Sequence, residues 1–137
     1  MKIMLDTNIL ISALVFGGKV KHVVHLMRNL DFEIYLSSYV EDEFKNTVKK
    51  KWPARYDTLC TIYEEMKSTF IFCPSTDKVL GDLRDKNDIP VLSDSIYYGV
   101  DILLTGDKDF LDSDITAPLI ISPQEFLEYL INKFKEA

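Results

Sequence analysis

Four acidic residues lie where the chain is predicted to leave or enter its strands: Asp6, Glu43, Asp88 and Asp107. Asp6 and Asp107 follow short apolar runs. Glu43 lies on the helix predicted after the second strand, and Asp88 begins the helix predicted before the fourth. Because the carboxyl ends of parallel strands share one edge of a sheet, these four side chains can converge there although they are far apart in sequence.

Four carboxylates in one cleft repel one another, since two unit charges ~4 Å apart cost about 4 kcal/mol at an effective dielectric constant near 20. Hard divalent cations relieve this repulsion, and Mg²⁺ and Mn²⁺ prefer carboxylate oxygen. Such ions can supply an attacking hydroxide and hold the oxygens of a phosphodiester. The sequence has no nucleophile-elbow motif and no phosphate-binding glycine loop, so the acidic set is its clearest chemical signal.

Each acid also has a purely structural interpretation. Asp6 and Asp107 suit turns, Glu43 suits a solvated helix face, and Asp88 suits a helix N-cap. Asp94 follows Asp88 by six residues, about 120° around the helix, which places it outside the cleft. Five further acids are predicted to be surface or turn residues: Asp85, Asp94, Asp109, Asp112 and Asp114.

Short apolar runs without alternation predict strands that are buried on both faces, as in a parallel sheet. The predicted strands are Lys2–Leu5, Glu33–Leu36, Phe70–Cys73, Ile102–Leu104 and Leu119–Ile121. The predicted helices are Ile9–Leu14, Val20–Leu30, Ser38–Lys50, Arg55–Met66, Asp88–Tyr98 and Pro123–Lys133. Ser38 is the expected N-cap of its helix, with Glu41 at the capping-box spacing. This alternation predicts an α/β sandwich with a mostly parallel sheet.

The composition predicts one domain spanning residues 1–137, because 47% of the residues are hydrophobic and no linker is visible. No apolar run reaches the ~20 residues of a membrane span, and the acidic start does not look like a secretory signal. We therefore expect a cytoplasmic protein. Cys60 and Cys73 are expected to be reduced thiols, since they form no metal-binding or disulfide pattern.

The net charge of −6 argues against nucleic-acid binding, but two divalent ions would bring it to about −2. The basic residues are also clustered, and Lys45, Lys49 and Arg55 are candidate contacts for an RNA backbone. An ordinary solvated helix face is the alternative. His22 and His25 have a spacing that can share a metal ion, although a helix surface is the default interpretation.

The ordered set of segments around these acids resembles the PIN-domain family, in particular the VapC-like branch that forms the toxin half of toxin–antitoxin pairs. The segments are Leu5–Leu14, Ser37–Phe44, Arg84–Asp88 and Asp101–Leu111. A D-T-N tripeptide alone would be weak, but its combination with T-G-D-K-D-F is specific. The chain departs from the pattern at Ser93-Asp94-Ser95, where relatives usually carry small apolar residues.

This resemblance implies a three-layer α/β/α fold and Mg²⁺- or Mn²⁺-dependent cleavage of RNA. It assigns the metal to Asp6, Glu43, Asp88 and Asp107. It gives supporting roles to three further residues: Asn8, Thr105 and Asp109. The substrate RNA and its sequence preference do not follow from the resemblance.

Other function classes remain open at this stage. A phosphatase of the haloacid-dehalogenase type needs an acid where this chain has Asn8. A receiver domain needs a phosphate-accepting Asp where the third strand ends in Cys73-Pro74. The main alternative is a PIN scaffold without catalytic activity that binds RNA or protein.

Control of a nuclease by an antitoxin is expected from the resemblance, with a basic side chain of that partner in the acidic cleft. A homodimer is also expected, because the early helices carry enough apolar residues to leave a strip exposed. The candidates for that strip are Val23, Val24, Leu26, Met27 and Leu30.

Overall fold

The computed structural model describes residues 1–136 and contains a parallel sheet that confirms the predicted fold class. Its strands are β1 (Lys2–Leu5), β2 (Glu33–Ser37), β3 (Ile71–Cys73), β4 (Ile102–Leu104) and β5 (Leu119–Ile121). They lie in the order β3-β2-β1-β4-β5, and every neighbouring pair is parallel. All five predicted strands are present within one residue of the predicted ends.

Helices connect the strands and give the predicted three-layer α/β/α arrangement. They are α1 (Thr7–Ile11), α2 (Gly18–Asn29), α3 (Ser38–Lys51), α4 (Tyr56–Lys67), α5 (Ile89–Tyr97), α6 (Lys108–Leu111) and α7 (Pro123–Glu136). A π-helical turn, Ser12–Phe16, continues α1, and short 3-10 turns occupy Pro53–Arg55 and Lys86–Asp88. The six predicted helices agree with these elements. The four-residue α6 is too short to show a periodic pattern.

The central strands are buried as their apolar runs predict. Ile3, Met4 and Leu5 of β1 have no exposed surface, and Leu103 and Leu104 of β4 are equally buried. Because β1 lies in the middle of the sheet, with β2 and β4 on its two sides, its carboxyl end meets the ends of both neighbours. Any residue that directly follows β1 is therefore placed at the centre of that edge.

The predicted cap of α3 is wrong by one residue. Ser37 is the N-cap, and its hydroxyl accepts a hydrogen bond from the Val40 amide at 3.3 Å. Strand β2 extends through Ser37, so the turn into the helix begins there and Ser38 is already helical. Glu41 does not close a capping box but accepts a hydrogen bond from the Tyr63 hydroxyl at 2.6 Å.

The prediction that Asp94 is a surface or turn acid is wrong, although the side chain does stay out of the acidic cleft. Asp94 is fully buried on α5 and accepts hydrogen bonds from the Ser75 hydroxyl and the Thr76 amide, both at 2.7 Å. The neighbouring Ser93 accepts another from the Leu80 amide at 3.0 Å. Ser93 and Asp94 thus anchor the irregular segment that follows β3, whereas the Ser95 hydroxyl donates to the Val91 carbonyl within α5 at 2.9 Å. These bonds satisfy the buried polar groups of the helix.

The predicted apolar strip on the second helix is largely absent. Val23, Val24 and Met27 are at most 1% exposed and belong to the core. Leu26 is half-buried, and Leu30 is 38% exposed. Most of this helix face is therefore covered by the protein itself and offers no wide surface to a partner.

Within residues 1–136, no single helix has the length and apolar character needed to cross a membrane, and one bent pair, Thr7–Phe16 with Gly18–Asn29 at 110°, meets that test only when taken together.

Candidate functional site

Asp6 lies at the centre of the carboxyl edge of the sheet, directly after β1. Its Oδ1 accepts a hydrogen bond from the Thr7 amide and its Oδ2 accepts one from the Thr105 hydroxyl, both at 2.8 Å. The Thr105 hydroxyl in turn accepts a bond from the Asp107 amide at 3.0 Å. Asp6 is 4% exposed. One threonine thus ties the acid after β1 to the loop after β4 and fixes both.

Glu43 reaches the same place from α3. Its Oε1 accepts a hydrogen bond from the Thr7 hydroxyl at 2.6 Å, and α1 packs against α3. Thr7 therefore contacts both Asp6, through its amide, and Glu43, through its side chain. Sequence reasoning assigned no role to Thr7. The available signal was its position next to Asp6, at the start of a helix.

Asp88 occupies the N-cap position of α5 but makes no capping hydrogen bond. Asp85 does the capping instead: its Oδ1 accepts a bond from the Asn87 amide at 3.0 Å at the start of the 3-10 turn. Asp88 Oδ2 is buried and has no hydrogen-bond partner within the described part of the chain. A carboxylate oxygen in this state is normally explained by a water, an ion or a proton.

Asp107 follows β4 and caps the short helix α6. Its Oδ1 accepts a hydrogen bond from the Asp109 amide at 2.9 Å. The structural role expected for a turn acid is therefore present. The capping bond uses only Oδ1, so Asp107 Oδ2 does not take part in it.

The electrostatics of these acids show that they act on one another. The pKa of Asp6 is raised from 3.8 to about 6, chiefly by burial; its hydrogen bonds from Thr105 and Thr7 oppose this shift, and the charges of Glu43 and Asp107 add to it. Burial also raises the pKa of Asp88 from 3.8 to about 7, with added contributions from Asp107, Asp6 and Asp85. Repulsion between like charges near a low-dielectric wall favours the protonated form.

A cleft of about 280 Å³ opens beside these acids. It is lined by Asp6, Thr7, Asn8, Ile11, Glu43, Thr47, Lys51, Asp85, Asn87 and Asp88. Asn8 is exposed, so its amide is free to meet a water or a ligand from the cleft side. Asp107 does not line this cleft but is close enough for its charge to act on Asp6 and Asp88.

Two acids extend the cluster beyond the four predicted metal ligands: Asp85, for which no site role was predicted, and Asp109, which was predicted in a supporting role. Together with Asp88 they offer carboxylate oxygens that all lie within 4.8 Å of one another. The prediction that Asp85 is a surface or turn acid agrees with its capping bond but is incomplete, because Asp85 also lines the cleft. Arg84 donates its Nε to Asp109 Oδ1 at 3.0 Å and also contacts that oxygen through Nη2. The spacing of three residues between Asp85 and Asp88 was the signal that could have identified Asp85.

The donor set suits a hard divalent cation. It consists of carboxylate oxygens from several elements, one of them buried without a partner, and it contains no thiolate or imidazole. Oxygen-only sites of this type favour Mg²⁺ or Mn²⁺ over zinc. His22 and His25 are both exposed on α2, and among residues 1–136 neither belongs to a group of three possible metal ligands.

The three basic candidates differ in their surroundings. Lys45 pairs with Glu41 and Glu64, both at 3.7 Å. Lys49 and Arg55 are exposed near the carboxyl end of α3. The structure therefore leaves Lys49 and Arg55 better placed than Lys45 to meet a phosphate.

A sequence model described as PIN domain matches residues 2–109. A search of curated proteins found no match. One similar solved structure is VapBC2 from Rickettsia felis bound to a DNA fragment from their promoter, with a TM-score of 0.70, 19% identity, and coverage of 89% of this chain and 98% of that chain. Another is FitAB bound to the IR36 DNA fragment, with a TM-score of 0.61, 16% identity, and coverage of 88% and 94%. At these identities the two structures support the fold.

Proposed function

Because the chain belongs to the PIN domain family, whose members are typically nucleases, we propose that it is a metal-dependent endoribonuclease that hydrolyses RNA phosphodiester bonds. The observation that carries this proposal is the buried, unpartnered Asp88 Oδ2 within a cluster of interacting carboxylates. A protein gains nothing in stability from such an arrangement alone, since repulsion between the acids opposes folding. A function that requires a bound cation accounts for it.

Asp6, Glu43, Asp88 and Asp107 would hold Mg²⁺ or Mn²⁺. When bound, such an ion supplies an activated water and stabilises the negative charge of the phosphate. The chain's own contribution is orientation: Thr105 holds Asp6, and the Thr7 hydroxyl holds Glu43. Groups that orient ligands in this way commonly matter nearly as much as the ligands.

Two polar residues complete this proposed site. The exposed amide of Asn8 can position a water or a phosphate oxygen at the open side of the cleft. We give Asp109 a supporting role, because Arg84 orients it and its carboxylate oxygen lies within 4.8 Å of that of Asp88.

RNA contacts are proposed for the exposed end of α3. Lys49 and Arg55 can pair with phosphates, and Lys51 lines the cleft itself. Lys45 was predicted for the same role, but its ion pairs with Glu41 and Glu64 would have to break first. We therefore assign the phosphate contacts mainly to Lys49 and Arg55.

We further propose that this nuclease is the toxin of a toxin–antitoxin pair. Support comes from the resemblance of the sequence to VapC-like toxins and from the fold that the chain shares with VapBC2 and FitAB. Both of those structures are complexes bound to DNA fragments. The acidic cleft would accept an Arg or Lys of the antitoxin, whose charge would compensate the carboxylates in place of a cation. Co-purification with the protein encoded beside this chain, and loss of RNA cleavage in the complex, would test the assignment.

A homodimer is proposed on a surface other than the early helices. Strand β3 lies at one edge of the sheet, and its Ile71 and Phe72 are 41% and 39% exposed. Exposed edge strands with apolar side chains readily pair with or are covered by another chain.

The decisive experiment measures cleavage of labelled RNA with Mg²⁺ or Mn²⁺ for the parent and for Asp6→Asn, Asp88→Asn and Asp107→Asn. Each substitution should nearly abolish cleavage and weaken metal binding measured by calorimetry. Asp42→Asn is the matched control, because Asp42 is an exposed acid adjacent to Glu43 and outside the cleft. If the parent protein binds RNA but does not cleave it, the alternative is favoured: a PIN scaffold without catalytic activity that binds RNA.

A further inference from the structure

An aromatic pair lies near the acidic cleft and is not used by the proposed metal site. The rings of Phe16 and Trp52 meet edge to face, with centroids 5.7 Å apart and planes at 80°. Phe16 ends the π-helical turn after α1, and Trp52 directly follows α3. Phe16 is 71% exposed, whereas Trp52 is half-buried and packs against the core. The exposed ring of Phe16 therefore adds little to the hydrophobic core but rests on a fixed neighbour.

The pair is continuous with one wall of the cleft. Glu43, Thr47 and Lys51 lie four residues apart on α3 and all line the cleft, so this face of the helix runs from the acids to Lys51. Lys51 directly precedes Trp52, and the turn that begins after Ile11 carries Phe16. The two rings therefore lie just beyond the point where this face of α3 ends.

The charge around the pair is positive. Ion pairs occupy Lys45, Lys67, Arg84 and Lys86, but across residues 1–136 none involves the four exposed cations near Trp52. These four cations are Lys49, Lys50, Lys51 and Arg55. An aromatic surface surrounded by cations is the chemistry that binds single-stranded nucleic acid, because the bases stack and the phosphates pair with the cations.

We propose that Phe16 and Trp52 form a stacking platform for an unpaired base next to the cleaved phosphate. This inference rests on the proposed ribonuclease function. Bases inside a duplex are already stacked on their neighbours, so only a single strand, loop or bulge can present a free face to the ring. Lys51 lies between the platform and the acids and is placed to contact the backbone between the stacked base and the cleaved bond.

Trp52 is the chain's only tryptophan, so its fluorescence reports directly on this platform. The full chain carrying Asp88→Asn, with Mg²⁺, would be titrated with a single-stranded RNA oligonucleotide, its duplex, and the same strand with abasic positions. We expect quenching by the intact single strand and little quenching by the other two. In this background, Phe16→Ala should weaken single-strand binding by about 5- to 150-fold, the range for one base stacked on an aromatic ring.

Three variants separate stacking from other effects. Phe16→Tyr keeps an aromatic ring and should retain affinity, whereas Phe16→Leu keeps only apolar bulk and should lose it. Phe134→Ala is the matched control, since Phe134 is 64% exposed on α7 and lines none of the cleft. Equal affinities of Phe16→Ala and its parent, or equal quenching by the abasic strand, would overturn the platform.

The outcomes also separate this inference from the proposed function. If the parent cleaves single-stranded RNA and Phe16→Ala cleaves and binds it equally well, the platform is refuted and the nuclease stands. If the parent never cleaves RNA but ring-dependent quenching persists, the platform stands and the nuclease is refuted. If Phe16→Ala keeps RNA affinity and loses only a protein partner, the aromatic pair is a protein-binding surface and the proposal is wrong.

Discussion

The metal-free protein should become less stable as the pH rises from 5 to 7.5. The pKa of Asp6 is raised to about 6 and that of Asp88 to about 7, while an unfolded Asp titrates near 3.8. Between these values the folded state binds more protons than the unfolded state, so the unfolding free energy falls as the pH increases. The contribution is fully present below about pH 4 and is lost by the time the pH passes 6 to 7.

The magnitude follows from Asp6, which is almost completely buried. With pKa values of about 6 folded and 3.8 unfolded, its contribution is on the order of 1 kcal/mol at pH 5 and close to zero at pH 7.5. For a chain of this size that corresponds to a decrease of roughly 3 to 5 °C in Tm. Asp88 acts in the same direction, but solvent screens a half-exposed carboxylate, so its share is smaller than its pKa alone implies. Glu41, whose pKa is lowered chiefly by Lys67 and Tyr63 against its burial, opposes the trend only in more acidic buffer.

Calorimetric melting in the presence of a chelator, at pH 5, 6, 7 and 7.5, measures this effect. Asp88→Asn should flatten the decrease in Tm, whereas Asp42→Asn, an exposed acid outside the cleft, should leave it unchanged. Saturating Mn²⁺ should raise Tm more at pH 7.5 than at pH 5, because the cation requires deprotonated carboxylates. A Tm that rises steadily through this range without metal, or an Asp88→Asn protein with the parent's slope, would refute the repulsive cluster.

Four further predictions test other parts of the structure. Asp94→Ala should lower the unfolding free energy by about 2 kcal/mol in urea denaturation, because it leaves two partly buried donors unpaired. A loss below ~1 kcal/mol would contradict the anchoring role. Phe72→Glu should convert the proposed dimer to a monomer in light scattering, and an unchanged mass would exclude the β3 edge. The double substitution Lys49→Ala and Arg55→Ala should make the slope of log K for RNA binding against log salt concentration shallower by about 0.7 per lost phosphate contact. Equal slopes for the parent and the double variant would mean that these residues form an ordinary solvated face. Arg84→Gln should tighten Mg²⁺ binding several-fold in calorimetry by removing a cation beside Asp109; weaker binding would mean that Arg84 chiefly orients that acid.

The layout of the sheet could be predicted from sequence because burial on both faces leaves a local signal. Runs such as Ile102–Leu104 have no alternation, which is typical of parallel strands that are buried on both faces. The edge strands are weaker cases: Ile71 and Leu119 are more than 40% exposed, although both belong to equally apolar runs. The pattern identifies the strands but does not show which of them lie at the edges.

The path of the irregular segment after β3 could not be predicted. For that reason the burial of Asp94 and the position of Asp85 in the cleft were missed. Helical periodicity places Asp94 away from the cleft, which is correct. Whether an acid away from the cleft is exposed depends on what covers it, and here the covering residues, Ser75 and Thr76, lie in a segment without periodicity. Asp85 lies at the start of a 3-10 turn, and a turn this short has no repeating sequence pattern that would predict it. The error for Asp94 arises from contacts that are distant in sequence, whereas for Asp85 the only local signal was its spacing of three residues from Asp88.

The charge distribution resolves the apparent conflict between an acidic protein and the proposed RNA substrate. The net charge of −6 is an average over a molecule in which acids converge on a cleft that Lys51, about two helical turns beyond Glu43 on α3, also lines. Phosphate is repelled by the acids until a divalent cation compensates them, whereas the exposed cations beside Trp52 attract it at all times. RNA should therefore bind first at the basic, aromatic end and enter the acidic end only when metal is present. In a chelating buffer, binding should persist with a weakened but salt-sensitive affinity, and Lys51→Ala should then weaken it further than any substitution among the acids.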